Sequence, residues 1–329
     1  MRYRTLGNSD LKLSEITFGA WAVGGWMWGG NDMNESIEAI RKSIDQGVTS
    51  IDTAPVYGMG LSEEIVAEAI KGYKRSDLQI VTKFGLRWND TKGQFYFKSH
   101  HNGKDLDIYK YAAKESVIAE CEESLKRLKT DYIDLYQIHW ADETTPIEET
   151  MEALVLLKKQ GKIREAGVCN YTKQQMETAE KVINLVSNQV SYSMLKREIE
   201  QELVPNCIKL NKSILAYSPL QRGFLSGKIK PGHVFAEGDH RSTSSFAKDE
   251  NLKAINTFLS AIKPLAESKN ATLSQLVIRW TLQQPGITIA LVGARNAQQA
   301  EENAKAGQLK LSDEEMMYIN KALNGLKLT

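Results

Sequence analysis

Eight times along this chain a short apolar run is followed by an amphipathic one, and that alternation restricts the fold more than any other feature. The runs 16–18, 50–52, 80–83 and 133–139 read as buried strands, followed by helical patterns at 34–46, 62–73, 114–128 and 146–160. The second half continues with strands at 165–169, 187–190, 214–216 and 289–292, and helices at 172–183, 200–211, 272–284 and 296–305. Strands that alternate with helices pair in parallel, because the crossover helix returns the chain to the same end of the sheet. Eight such units are what closes a (β/α)8 barrel, so the expectation is an α/β fold with one TIM barrel spanning residues 1–329.

Some segments fall outside the pattern. Residues 2–6 and 11–13, joined through Gly7-Asn8-Ser9-Asp10, read as a β-hairpin capping the barrel floor. Two long loops, 85–113 and 226–249, follow the third and seventh strands and are expected over the catalytic face. Extra helices near 253–268 and 312–324 join the outer ring.

Composition excludes several classes. The net charge of +1, with Lys and Arg spread throughout, offers no basic stripe for nucleic acid. No apolar stretch approaches the roughly 18 residues of a membrane span, and the amino terminus lacks a signal-peptide core, so a soluble cytoplasmic protein is expected. Cys121, Cys169 and Cys207 lack paired or metal-ligand spacing and are expected as free thiols. The histidines have no helical metal-pair spacing, so no metal is expected, and neither a G-x-G-x-x-G nor a P-loop is present.

In a parallel barrel the C-terminal strand ends converge on one face. Asp52, Lys83 and His139 close the second, third and fourth strands, and Tyr57 follows Asp52 by five residues. Singly, each is more often a turn former, a satisfied polar group or packing. Together they outline a proton-transfer site. A phenol with a reference pKa near 10 needs about 4 kcal/mol to reach neutrality, which one ammonium about 4 Å away can supply at an effective dielectric of about 20. Lys83 is the candidate cation, Asp52 the carboxylate needed to keep a buried amine charged, and His139 the donor to a substrate oxygen. Trp21, Trp28, Val56, Trp88 and Trp140 follow the first four strands and suggest an apolar, aromatic substrate pocket.

Four blocks then carry a family likeness: Asp52-Thr53-Ala54-x-x-Tyr57-Gly58; Leu125-x-x-Leu128-x-x-Asp131-Tyr132-Ile133-Asp134-Leu135-Tyr136-x-x-His139; Gly161-Lys162-Ile163-Arg164-x-x-Gly167-Val168-x-Asn170; and Tyr217-Ser218-Pro219-Leu220. In order and spacing they resemble the aldo-keto reductases, from the first strand to the last helix. The resemblance implies a catalytic tetrad of Asp52, Tyr57, Lys83 and His139, and a nicotinamide cofactor, NADP(H), extended across the barrel mouth. It places Asn170 and Gln189 on the carboxamide, Tyr217 beneath the nicotinamide, and Trp21 and Asp52 beside it. Ser218, Leu220, Arg222 and Gly223 fall at the pyrophosphate, and Gly293, Arg295, Gln299, Glu302 and Asn303 at the adenosine end.

Two departures stand out. Cys169 replaces a serine common before the carboxamide-binding Asn, and Val292-Gly293-Ala294 replaces a Pro-Lys-Ser segment, which leaves Arg295 to meet a 2′-phosphate. The resemblance implies an NADPH-dependent reductase of aldehydes and ketones with Tyr57 as general acid. An NADPH-binding, redox-sensing regulatory subunit with slow turnover would carry the same tetrad, and a barrel lyase or isomerase without nicotinamide is the remaining alternative. The substrate's identity and the oligomeric state are not written in these motifs.

Overall fold

A computed structural model describes residues 1–30 and 32–329. The chain runs through β1 (Tyr3–Thr5), β2 (Lys12–Ser14), β3 (Ile16–Gly19), α1 (Met33–Asp45), β4 (Ser50–Asp52), α2 (Leu61–Ala69) and β5 (Gln79–Phe84). There follow β6 (Leu86–Arg87), β7 (Gln94–His101), β8 (Lys104–Lys110), α3 (Lys114–Leu128), β9 (Ile133–Ile138), α4 (Ile147–Lys159), β10 (Ile163–Cys169) and α5 (Lys173–Ala179). The remainder is β11 (Ser187–Ser191), α6 (Leu203–Lys209), β12 (Ser213–Tyr217), α7 (Asp249–Ser268), α8 (Leu273–Leu282), β13 (Ile287–Val292), α9 (Ala297–Lys305) and α10 (Asp313–Asn324).

Eight strands close a barrel in the order β10-β11-β12-β13-β3-β4-β5-β9, with every neighbouring pair parallel. The expected TIM barrel is therefore present. Two apolar layers hold it. The larger lies between strands and helices, where α1 contributes Ala39, Ile40 and Ile44 and α4 contributes Met151, Leu154 and Leu157. Their spacing puts them on the inward stripe of each helix. Helix starts are fixed by local chemistry: Thr172, Thr272 and Ser312 form capping boxes with Gln175, Gln275 and Glu315.

The smaller layer fills the barrel itself. Val81, Leu135, Val186, Leu215, Ile289 and Leu291 meet Leu6, Leu11 and Leu13 of the β1–β2 hairpin, which thus stoppers the floor. Gly7 sits tightly here, at φ +45, and an added Cβ would stand 2.8 Å from the Val186 carbonyl oxygen. Burying a leucine fully contributes roughly 1.5 to 3 kcal/mol, so the stopper is a structural element in its own right.

The long segment after β5 departs from the loop expected at 85–113. It folds as an antiparallel sheet in the order β6-β8-β7, whose long strands turn at Asn102 (φ 50) and Gly103 (φ 74). Two positive φ values in a two-residue connection match the twist of a hairpin, and Asn-Gly is the pair that adopts them most readily. The expectation failed on a signal that was present. The excursion at 226–249 contains only short 3-10 turns, and Asp239 bridges back to Trp28 of the loop after β3. The three cysteines are buried and unpaired, and no helix among the described residues is long and apolar enough to cross a membrane.

Candidate active site

Strand register assembles the polar cluster. Asp52 ends β4 opposite Val81, two residues before Lys83 on the neighbouring strand, and the His139 backbone N–H donates to Phe84 O at 2.9 Å. Lys83 Nζ donates to Asp52 Oδ1 at 2.6 Å and to the Thr53 carbonyl at 2.9 Å, while Gln189 Nε2 donates to Asp52 Oδ2 at 2.7 Å. The ammonium lies 5.0 Å from the centroid of the Tyr57 ring. That ring meets His139 edge-on at 5.6 Å and stacks on Trp21 at 6.1 Å.

Tyr57 is placed by a close passage of two loops. A Cβ on Gly24 would stand 2.7 Å from the Tyr57 carbonyl oxygen, and one on Gly58 (φ +69) would collide with the Gly24 carbonyl. Only glycines allow that approach.

The protonation states follow from burial and charge. Desolvation is the largest single influence on Lys83 and favours a neutral amine, but Asp52, Tyr57 and Cys169 together outweigh it and hold the pKa above its ordinary value. Desolvation raises the Tyr57 phenol above its ordinary value; Lys83 opposes this, and the charge of Asp52 adds to it. One ammonium therefore does not bring this phenol to neutrality, because the cost of burying a phenolate is the larger effect. Burial, reinforced by Lys83, pushes His139 well below its ordinary pKa, so its imidazole is neutral with one N–H.

A cavity of about 550 Å³ opens over this cluster. Asp52, Val56, Tyr57, His139, Trp140, Trp21 and Trp28 line it, with Asn170, Gln189, Tyr217, Ser218, Leu220, Arg222 and Gly223 on another wall and Gly293, Arg295, Gln299, Glu302 and Asn303 beyond. Lys83 is fully buried behind Asp52. Trp88 lies apart, packed against the apolar cluster of Trp26, Val56, Leu86 and Ile108, and does not line the cavity. Sequence reasoning missed Trp26, Met27, Leu86, Tyr96, Phe97, His240 and Arg241, all of which line it. Tyr96 and Phe97 arrive on β7, and the Asn102-Gly103 turn was their signal.

The residues fit a nicotinamide dinucleotide on several observations. The Arg222 guanidinium is half-buried on the cavity wall with no carboxylate partner among the described residues, a costly placement that an anionic ligand relieves. The backbone is strained where it lines the cavity, with Asn170, Ser218 and Arg222 at φ 57, 57 and 56. Asn170 Nδ2 donates to the His139 carbonyl at 3.2 Å and its Oδ1 accepts from Tyr217 at 3.0 Å. Asn303 is buried and donates to Gly293 O at 3.1 Å, and Glu302 lies 3.8 Å from Lys228. Gln299 accepts from the Arg295 backbone N–H at 3.1 Å, and Arg295 is exposed one residue before the Asn296 cap of α9. No group of His, Cys, Asp and Glu suited to a metal ion occurs among the described residues.

The chain resembles known proteins in sequence and fold. The family model described as "Aldo/keto reductase family" matches residues 15–324. Aldo-keto reductase YhdN of Bacillus subtilis is 38% identical over 98% of this chain and 94% of its own length. The NADH-specific methylglyoxal reductase of Escherichia coli is 34% identical over 99% of this chain and 100% of its own. The structure of the glycerol dehydrogenase AKR11B4 from Gluconobacter oxydans superposes with a TM-score of 0.87 at 34% identity, covering 98% of this chain and 95% of that one. With the family model spanning most of its length, the chain belongs to the aldo/keto reductase family of oxidoreductases.

Proposed function

We propose that the protein reduces aldehydes and ketones to alcohols with NADPH, using Tyr57 as the proton donor. When bound, the nicotinamide supplies hydride to the carbonyl carbon. Tyr57 arrives protonated because burial keeps its pKa high, and it gives its proton to the carbonyl oxygen as charge develops there. The phenolate left behind is stabilised by Lys83, whose charge Asp52 and the Thr53 carbonyl maintain. The neutral His139 imidazole donates its single N–H to the same oxygen and fixes its orientation. Asn170 and Gln189 would hold the carboxamide, Tyr217 would underlie the nicotinamide ring, and Arg222 would meet the pyrophosphate. The observation that carries this reading is the phenol set between a buried ammonium and a neutral imidazole on the wall of one cavity.

NADPH is favoured over NADH because the exposed Arg295 precedes the amino terminus of α9, where a 2′-phosphate would find both a cation and the positive end of the helix dipole. A steady-state assay of NADPH and NADH oxidation with 4-nitrobenzaldehyde tests both parts. Absence of aldehyde-dependent oxidation of either cofactor refutes the reductase reading, and equal kcat/KM for the two cofactors refutes the preference.

A further inference from the structure

The roof of the cavity joins two loops distant in sequence. The loop after β3 supplies Trp21 and Trp28, and the excursion after β12 brings His240 onto both. The ring centroids of His240 lie 4.9 Å from Trp21 and 5.1 Å from Trp28, and the two indoles are 5.4 Å apart. The His240 backbone N–H donates to Met27 O at 3.1 Å, and Trp28 pairs with Asp239. These links fix the ring on the cavity wall.

Its hydrogen-bonding state can be deduced. His240 Nδ1 contacts the Met27 carbonyl oxygen, which only accepts, so Nδ1 carries the proton. In the neutral ring Nε2 is then an acceptor. Nε2 is shielded from solvent and has no partner among the described residues, and the same holds for the indole N–H groups of Trp21 and Trp28. Groups buried in this way are destabilising until a partner reaches them. A hydroxyl answers one unpartnered acceptor and two unpartnered donors, because it donates once and accepts from others. A carboxylate would turn lone pairs toward Nε2; of the two cations beside these rings, Arg241 is already paired with Asp239 at 2.6 Å, and Arg222, 5.3 Å from the Trp21 ring centroid, is the one assigned above to the pyrophosphate.

We propose that His240 Nε2, with the indole N–H groups of Trp21 and Trp28, recognises a hydroxyl on the substrate remote from its carbonyl, so that hydroxylated aldehydes are preferred over apolar ones of the same size. The hydroxyl must be several bonds from the carbonyl, since His240 touches Trp21 and Trp28 and makes no ring contact with Tyr57, which itself meets Trp21 at 6.1 Å. The inference rests on the reductase reading above, and its test separates the two.

The probes are 4-methylbenzaldehyde, 4-(hydroxymethyl)benzaldehyde and 4-carboxybenzaldehyde, reduced with NADPH. Wild type should prefer the hydroxymethyl compound over the methyl compound by about 5- to 10-fold in kcat/KM, mostly through KM, the scale of one neutral hydrogen bond. His240→Phe keeps an aromatic ring and removes the acceptor, and the ratio should fall to about one. Trp28→Phe, which keeps the ring and removes one donor, should lower the ratio to an intermediate value, and it preserves the test if the histidine variant does not fold. A wild-type ratio near one, or a ratio unchanged in both variants, overturns the proposal. A preference for the carboxylate overturns it in favour of anion recognition. If His240→Phe weakens NADPH binding, followed by tryptophan fluorescence, while the ratio persists, the unpartnered atoms belong to the cofactor. If no aldehyde is reduced, the reductase reading itself has failed.

Discussion

Replacing Lys83 by Met removes a charge from the most buried position of the site while keeping a side chain of similar length. The lost ammonium lies 5.0 Å from the Tyr57 ring centroid. At an effective dielectric of about 20, a unit charge at that distance stabilises a phenolate by about 3 kcal/mol, or roughly 2 pKa units. Tyr57, already raised by burial, becomes a weaker acid still, and kcat should fall about 100-fold. The change also strips Asp52 of its 2.6 Å partner, leaving Gln189. Breaking a buried pair costs roughly 3 to 5 kcal/mol, so a lower melting temperature is expected as well. NADPH affinity by fluorescence quenching and a thermal melt separate loss of catalysis from loss of fold. Turnover within about threefold of wild type, in a variant that binds NADPH normally, would refute the assigned role.

Other outcomes follow from the same geometry. Tyr57→Phe should leave NADPH affinity unchanged and lower kcat by at least about 100-fold, read by steady-state kinetics. Because burial holds the Tyr57 pKa above its ordinary value, reduction should be flat with pH across roughly pH 6 to 8, whereas alcohol oxidation, which needs the phenolate, should rise with pH; an inflection near neutrality in the reductive profile would contradict this. Arg295→Ala should weaken NADPH by roughly 10- to 150-fold and spare NADH, and equal losses would assign Arg295 to support of its loop. Burial pushes the Glu120 carboxyl from 4.5 up to about 7, against Arg87 and the Gly85 N–H that lower it. Since the folded value lies above the unfolded one, stability should decline as pH rises from about 4.5 to about 7, and Glu120→Gln should flatten the melting temperature across that window.

The barrel was legible because β/α alternation repeats eight times, and the proximity of Asp52, Tyr57, Lys83 and His139 because strand ends converge whatever their distance in sequence. Element ends were less legible: α5 stops at Ala179 and α6 at Lys209, short of the patterns read for them, since the final turns frayed into irregular backbone that periodicity does not register. The sheet of β6 to β8 was read as loop because its polar and aromatic composition masked a two-residue period, although its turn was written plainly. Trp88 looked equivalent to Trp140 by sequence position, yet it packs against Trp26, Val56, Leu86 and Ile108 and does not line the cavity. His240 had no signal at all. Its place depends on the excursion at 226–249 folding back onto Met27, a tertiary event invisible to local patterns.

The stoppered floor has a consequence for how the site recharges. Leu6, Leu11 and Leu13 close one end against Val81, Leu135, Leu215 and Ile289, and the buried Gln137 and Ser187 above them hydrogen-bond to each other, so the packed floor leaves the mouth as the open route to Tyr57. In the proposed mechanism the phenolate is reprotonated after each transfer from the same mouth through which alcohol departs. Proton uptake and product departure are thereby coupled: an alcohol that lingers withholds the next proton. Stopped-flow traces with a pH indicator should show uptake lagging the loss of NADPH absorbance and keeping pace with product release, and uptake simultaneous with cofactor oxidation would mean that the floor leaks.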